Sequence, residues 1–297
     1  MLIALLIPLG LASLLFLFVL VRAAIAKQVK PSAEGLVLGA ITNFFDTLGI
    51  GSFAPTMAWF KFRKLVPDRL IPATMLVGHS LPTIMQGFIF LILLGLLVDP
   101  VLIVGCSIAL MLGGLMGAPL VARTKVWVIQ LAVAIALLIA AILYSMTNLD
   151  LFPAGGTATS LSAQLTIAAI VANFIFGILL NYGIGHYAPS LVMLSLMGLD
   201  PRLAFPIMAT GGAVTIASAG TRHVLIGHID LRIALGIAIG GIPAVLLAAF
   251  IVKEMPLELL RWMVTVVVLY ASAVMFREAL RGRIISRDEM VAAAETG

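Results

Sequence analysis

Long apolar runs follow one another along almost the whole chain, separated by short charged or turn-forming stretches. A helix needs about 20 apolar residues to cross the hydrocarbon core of a membrane. Seven runs read as single spans: 2–21, 70–97, 101–121, 126–146, 203–221, 231–251 and 257–276. Two longer runs, 33–60 and 163–197, are each interrupted by glycines and a proline. The pattern predicts an all-α integral membrane protein in which two apolar segments are broken.

The two interruptions resemble each other. The sequence GIGSFAP at 49–55 aligns without gaps on GIGHYAP at 183–189, and the same register continues downstream. The identical pairs are Gly49/Gly183, Ile50/Ile184, Gly51/Gly185, Ala54/Ala188, Pro55/Pro189, Leu65/Leu199, Pro67/Pro201, Pro72/Pro206 and Gly78/Gly212. Self-similarity at a fixed offset is typical of a repeat architecture. The chain is therefore predicted to consist of two related halves.

Basic residues orient the halves. They cluster after position 21, after 60, after 121, near 222 and between 277 and 287, whereas the loops at 99–100 and 147–160 contain none. Basic loops face the cytoplasm in most membrane proteins. Each broken segment then leaves and returns on one side, as a re-entrant helix hairpin, although two full spans remain an alternative.

This orientation predicts two inverted structural repeats, each a broken hairpin plus three transmembrane helices, preceded by one N-terminal helix. The N-terminus is then outside and the C-terminus inside. The predicted divisions are an N-terminal helix with a basic loop (1–30), repeat 1 (31–146), an external linker (147–162), repeat 2 (163–280) and a cytoplasmic tail (281–297).

Composition supports the membrane interpretation. Apolar residues make up 62% of the 297 residues and charged residues 10%, far from the values of about 45–50% and 25% in soluble domains. The net charge is +5, but its basic residues lie in small clusters between apolar runs, so nucleic-acid binding is not expected. The N-terminal run has no basic residue before it, which favours a retained helix over a signal peptide.

No catalytic motif is recognisable. Cys106 is the only cysteine, the histidines are scattered, and neither a nucleotide-binding loop nor a metal-ligand spacing occurs. We therefore expect no enzyme activity, no cofactor and no metal. Transport, if it occurs, has to be driven by gradients, which leaves coupling to protons or another ion open.

The broken segments predict an anion site. Glycine permits a tight turn and close approach of a ligand to the backbone, and proline suits the first helical position. Pro55 and Pro189 are thus expected to open short helices, whose free N–H groups and positive dipole ends attract anions. The alternative is that the glycines only allow close helix packing.

The doubled G-x-G break with its following proline, the basic loop after it and the later Gly-rich helix resemble the sulfite exporter TauE/SafE family, also called the toluenesulfonate uptake permease family. The resemblance covers about residues 33–280. It implies transport of small sulfur-containing anions, such as sulfite, sulfoacetate or other organosulfonates, across the bacterial cytoplasmic membrane. The family motif usually reads G-x-G-G-G. Here Ser52 and His186 stand at the next glycine position, so both turns depart from the family motif there.

The predicted substrate-binding residues lie in the breaks and on nearby helices. They are Thr47, Gly49, Gly51, Ser52, Phe53, His79, Ser80, Asn181, Gly183, Gly185, His186, Tyr187 and Arg222. Histidines inside membrane segments can bind anions or take part in proton coupling, but they also form ordinary interhelical hydrogen bonds. Asp46 would repel an anion, so it is expected to pair with a cation or to carry a proton.

The leading interpretation is a secondary transporter, most simply an exporter, of small sulfur-containing anions. An anion channel and an intramembrane enzyme or assembly subunit are the alternatives from other classes. The expected partners are the anionic substrate and the lipid bilayer, and the sequence makes no prediction of oligomeric state.

Overall fold

The computed structural model describes residues 2–49, 51–121, 125–149, 151, 156–180 and 185–295. These residues are helical throughout apart from turns, short 3-10 segments and one isolated β-bridge. The α-helices are α1 Leu2–Ala26, α2 Ala33–Thr47, α3 Phe53–Arg63, α4 Ile71–Leu94, α5 Pro100–Val121, α6 Val126–Asn148, α7 Ala163–Leu180, α8 Tyr187–Leu196, α9 Pro201–Ile226, α10 Leu231–Glu254 and α11 Leu257–Glu295. The all-α prediction is confirmed for the described residues.

Polar side chains determine where several helices begin. The Ser32 hydroxyl accepts a hydrogen bond from the Gly35 N–H at the start of α2. The carboxylates of Asp200 and Asp230 do the same at the starts of α9 and α10. These caps satisfy N–H groups that have no partner within the helix.

The start of α2 and the end of α3 are joined by hydrogen bonds. The Glu34 carboxylate, in the first turn of α2, accepts hydrogen bonds of 3.0 Å from Arg63 Nε and 3.0 Å from Trp59 Nε1 at the end of α3. The first turn of α2 therefore lies beside the last turns of α3. The chain enters and leaves the segment formed by α2 and α3, called hairpin 1 below, at the same end.

The segment formed by α7 and α8 closes in the same way. The Ala158 N–H, before α7, donates to the Gly198 carbonyl after α8 at 3.1 Å, and the Asp200 N–H donates back to the Ala158 carbonyl at 2.9 Å. Ala158 and Leu199 form the isolated parallel β-bridge. This segment, called hairpin 2 below, also begins and ends at one end of the molecule.

The helices that follow the two hairpins pack against each other in opposite directions. The Ser80 hydroxyl, early in α4, lies 3.5 Å from the Ile216 carbonyl late in α9. Phe90, near the end of α4, packs against Phe205 near the start of α9, with ring centroids 5.2 Å apart. Because residue numbers rise along one helix as they fall along the other, α4 and α9 are antiparallel. The bases of the two hairpins therefore lie at opposite ends of this helix pair.

The first helix of hairpin 1 packs against a helix from the second half of the chain. A Cβ atom placed on Gly35 would lie 3.2 Å from Gly236 Cα, and one placed on Gly39 would lie 2.5 Å from Ile237 Cα. The backbones of α2 and α10 therefore touch, in parallel orientation. Small residues permit such close approach of helices in membranes.

Hairpin 2 makes the matching contact with the first half. A Cβ on Gly105 would lie 2.9 Å from Ile170 Cγ1, and the backbone of Gly113 touches that of Phe174. Thus α7 lies parallel to α5, as α2 lies parallel to α10. Each hairpin is held by a helix from the other half of the chain.

The outer helices complete the fold. The Ser272 hydroxyl of α11 donates to the Ala134 carbonyl of α6 at 2.8 Å, and Asn148 Nδ2 donates to Thr265 Oγ1 at 3.0 Å, so these helices are antiparallel. Helix α1 packs on α9 and α4. Its Phe16 is completely buried, whereas Leu11 and Phe18 are 64% and 62% exposed. An apolar outer surface of this kind is suited to lipid.

Seven helices are long and apolar enough to cross a membrane among the residues described: α1, α4, α5, α7, α9, α10 and α11. This set differs from the predicted one. It includes α7, whose 18 residues suffice for a span; α6 has 23 residues, of which the described apolar stretch is Trp127–Leu143. Helix α2 has 15 residues and α8 has 10, too few to cross alone.

Candidate anion site at the two helix breaks

The first break is a tight turn between α2 and α3. Gly49 and Gly51 have φ angles of 95° and 88°, in the left-handed region that side chains disfavour. The Gly49 N–H donates to the Asp46 carbonyl at 2.8 Å. Helix α3 then starts at Phe53, so Pro55 is its third residue, not its first as predicted. Proline is tolerated there because N–H groups in the first turn have no partner within the helix.

Asp46 lies at the start of α3 although it belongs to α2. Its Oδ1 accepts a hydrogen bond of 2.7 Å from the Ser52 N–H, and its Oδ2 accepts one of 2.9 Å from Gln86 Nε2. The side chain is 7% exposed. A carboxylate of the chain itself thus stands where an anion is attracted by the N-terminus of a helix.

Gln86 connects the first break to the second. Its Oε1 accepts a hydrogen bond of 2.7 Å from the Tyr187 hydroxyl, at the first position of α8, while its Nε2 donates to Asp46. Gln86 is completely buried, in the middle of α4. A continuous chain of hydrogen bonds therefore runs from the Ser52 N–H through Asp46 and Gln86 to Tyr187. The two breaks lie close together in the interior of the protein.

The second break carries no comparable carboxylate. The position that corresponds to Asp46 in the repeat register is Leu180. His186 precedes α8 without a side-chain cap, and its Nε2–H donates to the Met208 carbonyl of α9 at 3.2 Å. Its ring packs edge-on against Tyr187, with centroids 4.6 Å apart. Among the described residues, no acidic side chain bonds to the N-terminus of α8.

His79 holds the first break in place. Its Nδ1 lies 2.9 Å from Asn43 Oδ1 on α2, and its Nε2 lies 2.9 Å from Thr56 Oγ1 on α3. The Asn43 amide nitrogen donates to the Gly39 carbonyl at 2.7 Å, so its oxygen is the acceptor for His79. A neutral ring that donates from Nδ1 and accepts at Nε2 satisfies both partners. His79 therefore joins α2, α3 and α4.

The glycines of the breaks differ from the glycines between helices. A Cβ on Gly51 or Gly185 would meet no atom within 4 Å, whereas one on Gly39 would strike the backbone of Ile237. Close packing thus accounts for Gly39 but not for Gly51 or Gly185, whereas Gly49 does have a close neighbour, Leu191 Cδ2, 3.2 Å from an added Cβ. Gly185 is also exposed. At both positions the backbone is accessible to a small ligand.

The remaining predicted residues are distributed unevenly. Thr47 bonds to the Asn43 carbonyl at 2.7 Å and Phe53 stacks near His79 with ring centroids 5.5 Å apart, so both belong to the first break. Ser80 bonds instead to the Leu76 carbonyl at 2.7 Å and faces α9. Arg222 is exposed near the end of α9, about 15 Å along the helix from Gly212, which faces His186.

The structure therefore does not bring Ser80 or Arg222 to the breaks. Asn181 and Gly183 lie outside the described residues. Three residues at the breaks were missing from the sequence-based set: Gln86, Asn43 and Thr56. The available signal was a glutamine in a predicted membrane span.

Interrupted helices that lie among helices long enough to cross a bilayer are a feature of multi-pass membrane proteins, and they recur in transporters. Residues 165–295 match the model of the family described as sulfite exporter TauE/SafE. This is the family that the sequence motifs resemble, and the match confirms that resemblance over the second half of the chain. The family is one of transporters. No curated protein and no solved structure matches the chain.

Proposed function

We propose that this protein is a secondary transporter that exports small sulfur-containing anions, such as sulfite or organosulfonates including sulfoacetate. The observation that carries the proposal is the joining of two internal helix breaks by the Asp46–Gln86–Tyr187 chain, in a protein whose second half matches a sulfite exporter family. The substrate lies between the breaks, near the middle of the membrane.

Electrostatics favours the second break as the place where the negative group binds. A helix N-terminus carries about half a positive charge. At α3 that charge already faces the Asp46 carboxylate, whereas at α8 the described residues supply no acidic group. The Tyr187 hydroxyl and the His186 ring border this N-terminus. A sulfonate or sulfite oxygen at Gly185 would meet free N–H groups without steric hindrance.

An inverted repeat fits the helix contacts. Each hairpin closes at its own base, and the antiparallel pair α4 and α9 sets these bases at opposite ends. The parallel pairs α2/α10 and α7/α5 match each other across the two halves. We therefore propose repeats at 31–146 and 163–280, after an N-terminal helix at 1–30. A linker at 147–162 then separates the repeats, and a tail at 281–297 follows them.

The basic residues around hairpin 1 supply the orientation. Lys61 and Arg63 lie in the last turn of α3 and Lys64 and Arg69 follow it, at the base of this hairpin. The segment before α7 carries no basic residue. By the positive-inside rule, the base of hairpin 1 faces the cytoplasm and the base of hairpin 2 faces outward. The proposed location is the inner membrane of a bacterium.

A binding screen with purified protein tests the substrate class. Sulfite, sulfoacetate, isethionate, taurine and sulfate should be compared by calorimetry at one pH and one ionic strength. We expect sulfite or a sulfonate to bind more tightly than zwitterionic taurine. A preference for taurine, or no binding by any of the five, would contradict the proposal.

Counterflow in proteoliposomes separates a carrier from a channel. Vesicles loaded with unlabelled substrate should transiently accumulate labelled substrate against its own gradient, because a carrier exchanges one molecule for another. A channel dissipates gradients and gives no such overshoot. Rapid flux without counterflow would therefore replace the transporter with an anion channel.

A further inference from the structure

We propose that Asp46 binds the proton that accompanies the anion, and that Gln86 passes this event to Tyr187 by reversing its hydrogen bonds. The Tyr187 hydroxyl then turns from Gln86 towards the anion at the second break. This inference rests on the proposed function, since it assigns the coupling ion and the responding residue of the same site.

The first observation is a buried carboxylate without a cation. The two bonding partners of Asp46 in the described structure, the Ser52 N–H and the Gln86 amide, are both neutral. A negative charge in a membrane interior is costly, and an approaching anion adds repulsion. A proton on Asp46 removes that repulsion, so anion and proton bind more favourably together than separately.

The second observation is the direction of the hydrogen bonds. Gln86 presents its amide nitrogen to Asp46 and its carbonyl oxygen to Tyr187, at 2.9 Å and 2.7 Å. An ionised carboxylate can only accept, so it requires the amide nitrogen. The Tyr187 O–H must then donate to the amide oxygen. In this state the hydroxyl hydrogen points at Gln86 and is not available to a ligand.

Protonation reverses each of these bonds. A hydronium ion transfers a proton to Asp46 Oδ2 and becomes water, and the new carboxylic acid O–H is a donor that requires an acceptor. The Gln86 amide rotates by half a turn about its Cγ–Cδ bond and presents its oxygen to Asp46 and its nitrogen to Tyr187. The Tyr187 oxygen now accepts a hydrogen bond, and its O–H is free to donate to the anion. One O–H bond forms on Asp46, and it breaks again when the proton leaves.

A proton fits Asp46 better than a metal cation does. Both carboxylate oxygens already face N–H donors, whereas sodium and similar ions require a shell of oxygen ligands. When Asp46 takes up a proton, its Oδ2 changes from accepting a hydrogen bond to donating one. Rotation of the Gln86 amide is the only movement that this change requires. Dependence on sodium instead of pH is therefore an outcome that the experiment must be able to detect.

Other titratable groups on the packed elements have to be separated from Asp46. Tyr187 of α8 is reached through Gln86, and His186 packs against Tyr187. His79 of α4 bonds to Asn43, about one turn before Asp46 on α2. The charged residues of α3 and α10 lie towards the helix ends, away from the break: Lys61 and Arg63 on α3, and Arg232, Lys253 and Glu254 on α10. The histidines are thus the groups that need control variants.

Proton uptake on binding is measured first, with the unaltered protein. Isethionate is the probe, because its sulfonate takes up no proton itself in the range used. Calorimetric titrations in two buffers of different ionisation enthalpy, over about pH 5 to 8, give the protons bound per anion, and histidine titrates in the same range. We expect uptake that approaches one proton per anion and affinity that rises as pH falls.

The variants test the path of the signal. Asp46→Asn places an N–H donor where protonated Asp46 has its O–H, so it should bind isethionate with a pH-independent affinity equal to that of the unaltered protein at low pH. The double variant Asp46→Asn with Tyr187→Phe should bind isethionate about tenfold more weakly than Asp46→Asn alone, as expected for the loss of one hydrogen bond to a charged group. Tyr270→Phe, on the exposed side of α11, is the matched control. In Gln86→Leu, Asp46→Asn should no longer raise affinity.

The outcomes distinguish the two proposals. Isethionate binding without proton uptake, with sodium dependence, or with the original pH slope in Asp46→Asn would overturn the present inference and leave the proposed function standing. Loss of proton uptake in His79→Gln or His186→Gln would also overturn it. Absence of binding by every anion of the screen would remove both. Absence of proton uptake by the unaltered protein would overturn the inference even if a variant fails to fold.

Discussion

The contact between α2 and α10 makes a quantitative prediction for Gly39→Ala. The added Cβ would lie 2.5 Å from Ile237 Cα and 2.8 Å from its carbonyl carbon, whereas ordinary contacts begin at 3.4 Å. The atoms in the way belong to the backbone, so no side chain can rotate aside. The helices must separate by about 0.9 Å, the difference between 3.4 and 2.5 Å.

Overpacking of this size costs about 1–3 kcal/mol, against about 0.5–1 kcal/mol gained when alanine replaces glycine within a helix. We therefore expect a net loss of stability of up to about 2.5 kcal/mol in Gly39→Ala. Gly39 lies two turns before Asp46 on α2. A displaced α2 would move Asp46 relative to Gln86, its partner on α4 at 2.9 Å, so isethionate binding should weaken as well.

Gly10→Ala is the matched control, because a Cβ on Gly10 of α1 would meet no atom within 4 Å. The same substitution should there leave stability unchanged or raise it by up to about 1 kcal/mol. Thermal unfolding of both variants in one detergent is the measurement, with isethionate binding as the second readout. Equal unfolding temperatures for Gly39→Ala and Gly10→Ala would refute the reasoning that the α2–α10 contact permits no added atom.

Three further predictions follow from other contacts. Gly185→Ala should keep the stability of the unaltered protein, because its Cβ enters open space. Gly185→Leu should remain folded but lose anion binding in calorimetry. Retained affinity in the leucine variant would rule out the backbone at this position as the site. His79→Leu should lower the free energy of unfolding by about 1–3 kcal/mol, because two buried partners lose their hydrogen bonds. His79→Gln should lower it by less. Equal losses in the two variants would contradict the bonding described. In a Cys106→Ala background, cysteines at Lys64 and Thr157 should react with impermeant reagents from opposite sides of the membrane, and labelling from one side would refute the inverted arrangement.

The helices could be predicted from the sequence because their signals are local. Apolar runs gave most of the spans within about five residues, and the GIG motifs located both interruptions. Helix α11 is the exception, because it continues to Glu295, 19 residues past the predicted end of its span at 276. Lengths near the threshold were less predictable. Helix α7 is long enough to cross the membrane by itself, and α1 continues to Ala26, past the charge of Arg22. A single charged residue near the end of a helix does not terminate it when the residue has a long side chain, such as that of arginine, whose charged group can reach the membrane surface.

The site itself was less accessible to sequence reasoning. The motifs assigned Ser52, His186 and Tyr187 to the turns, and these residues lie at the starts of α3 and α8. That they bind substrate stays a prediction. Gln86 was missed because its role depends on three helices that meet only after folding. Asp46 was expected to pair with a cation or carry a proton, and its observed partners are neutral N–H donors. Repeat symmetry also concealed the difference between the breaks, since only one of them has an aspartate.

The parallel contact between α2 and α10 has a consequence for biosynthesis. Helix α2 ends at Thr47, but its partner begins only at Leu231. At about 5–20 residues per second, the ribosome needs roughly 10 to 40 s to make the intervening chain. During that interval a helix of 15 residues, too short to span the bilayer, has to wait without its main contact. The first half therefore cannot reach its final arrangement as an independent unit, and assembly is complete only after α10 has been inserted.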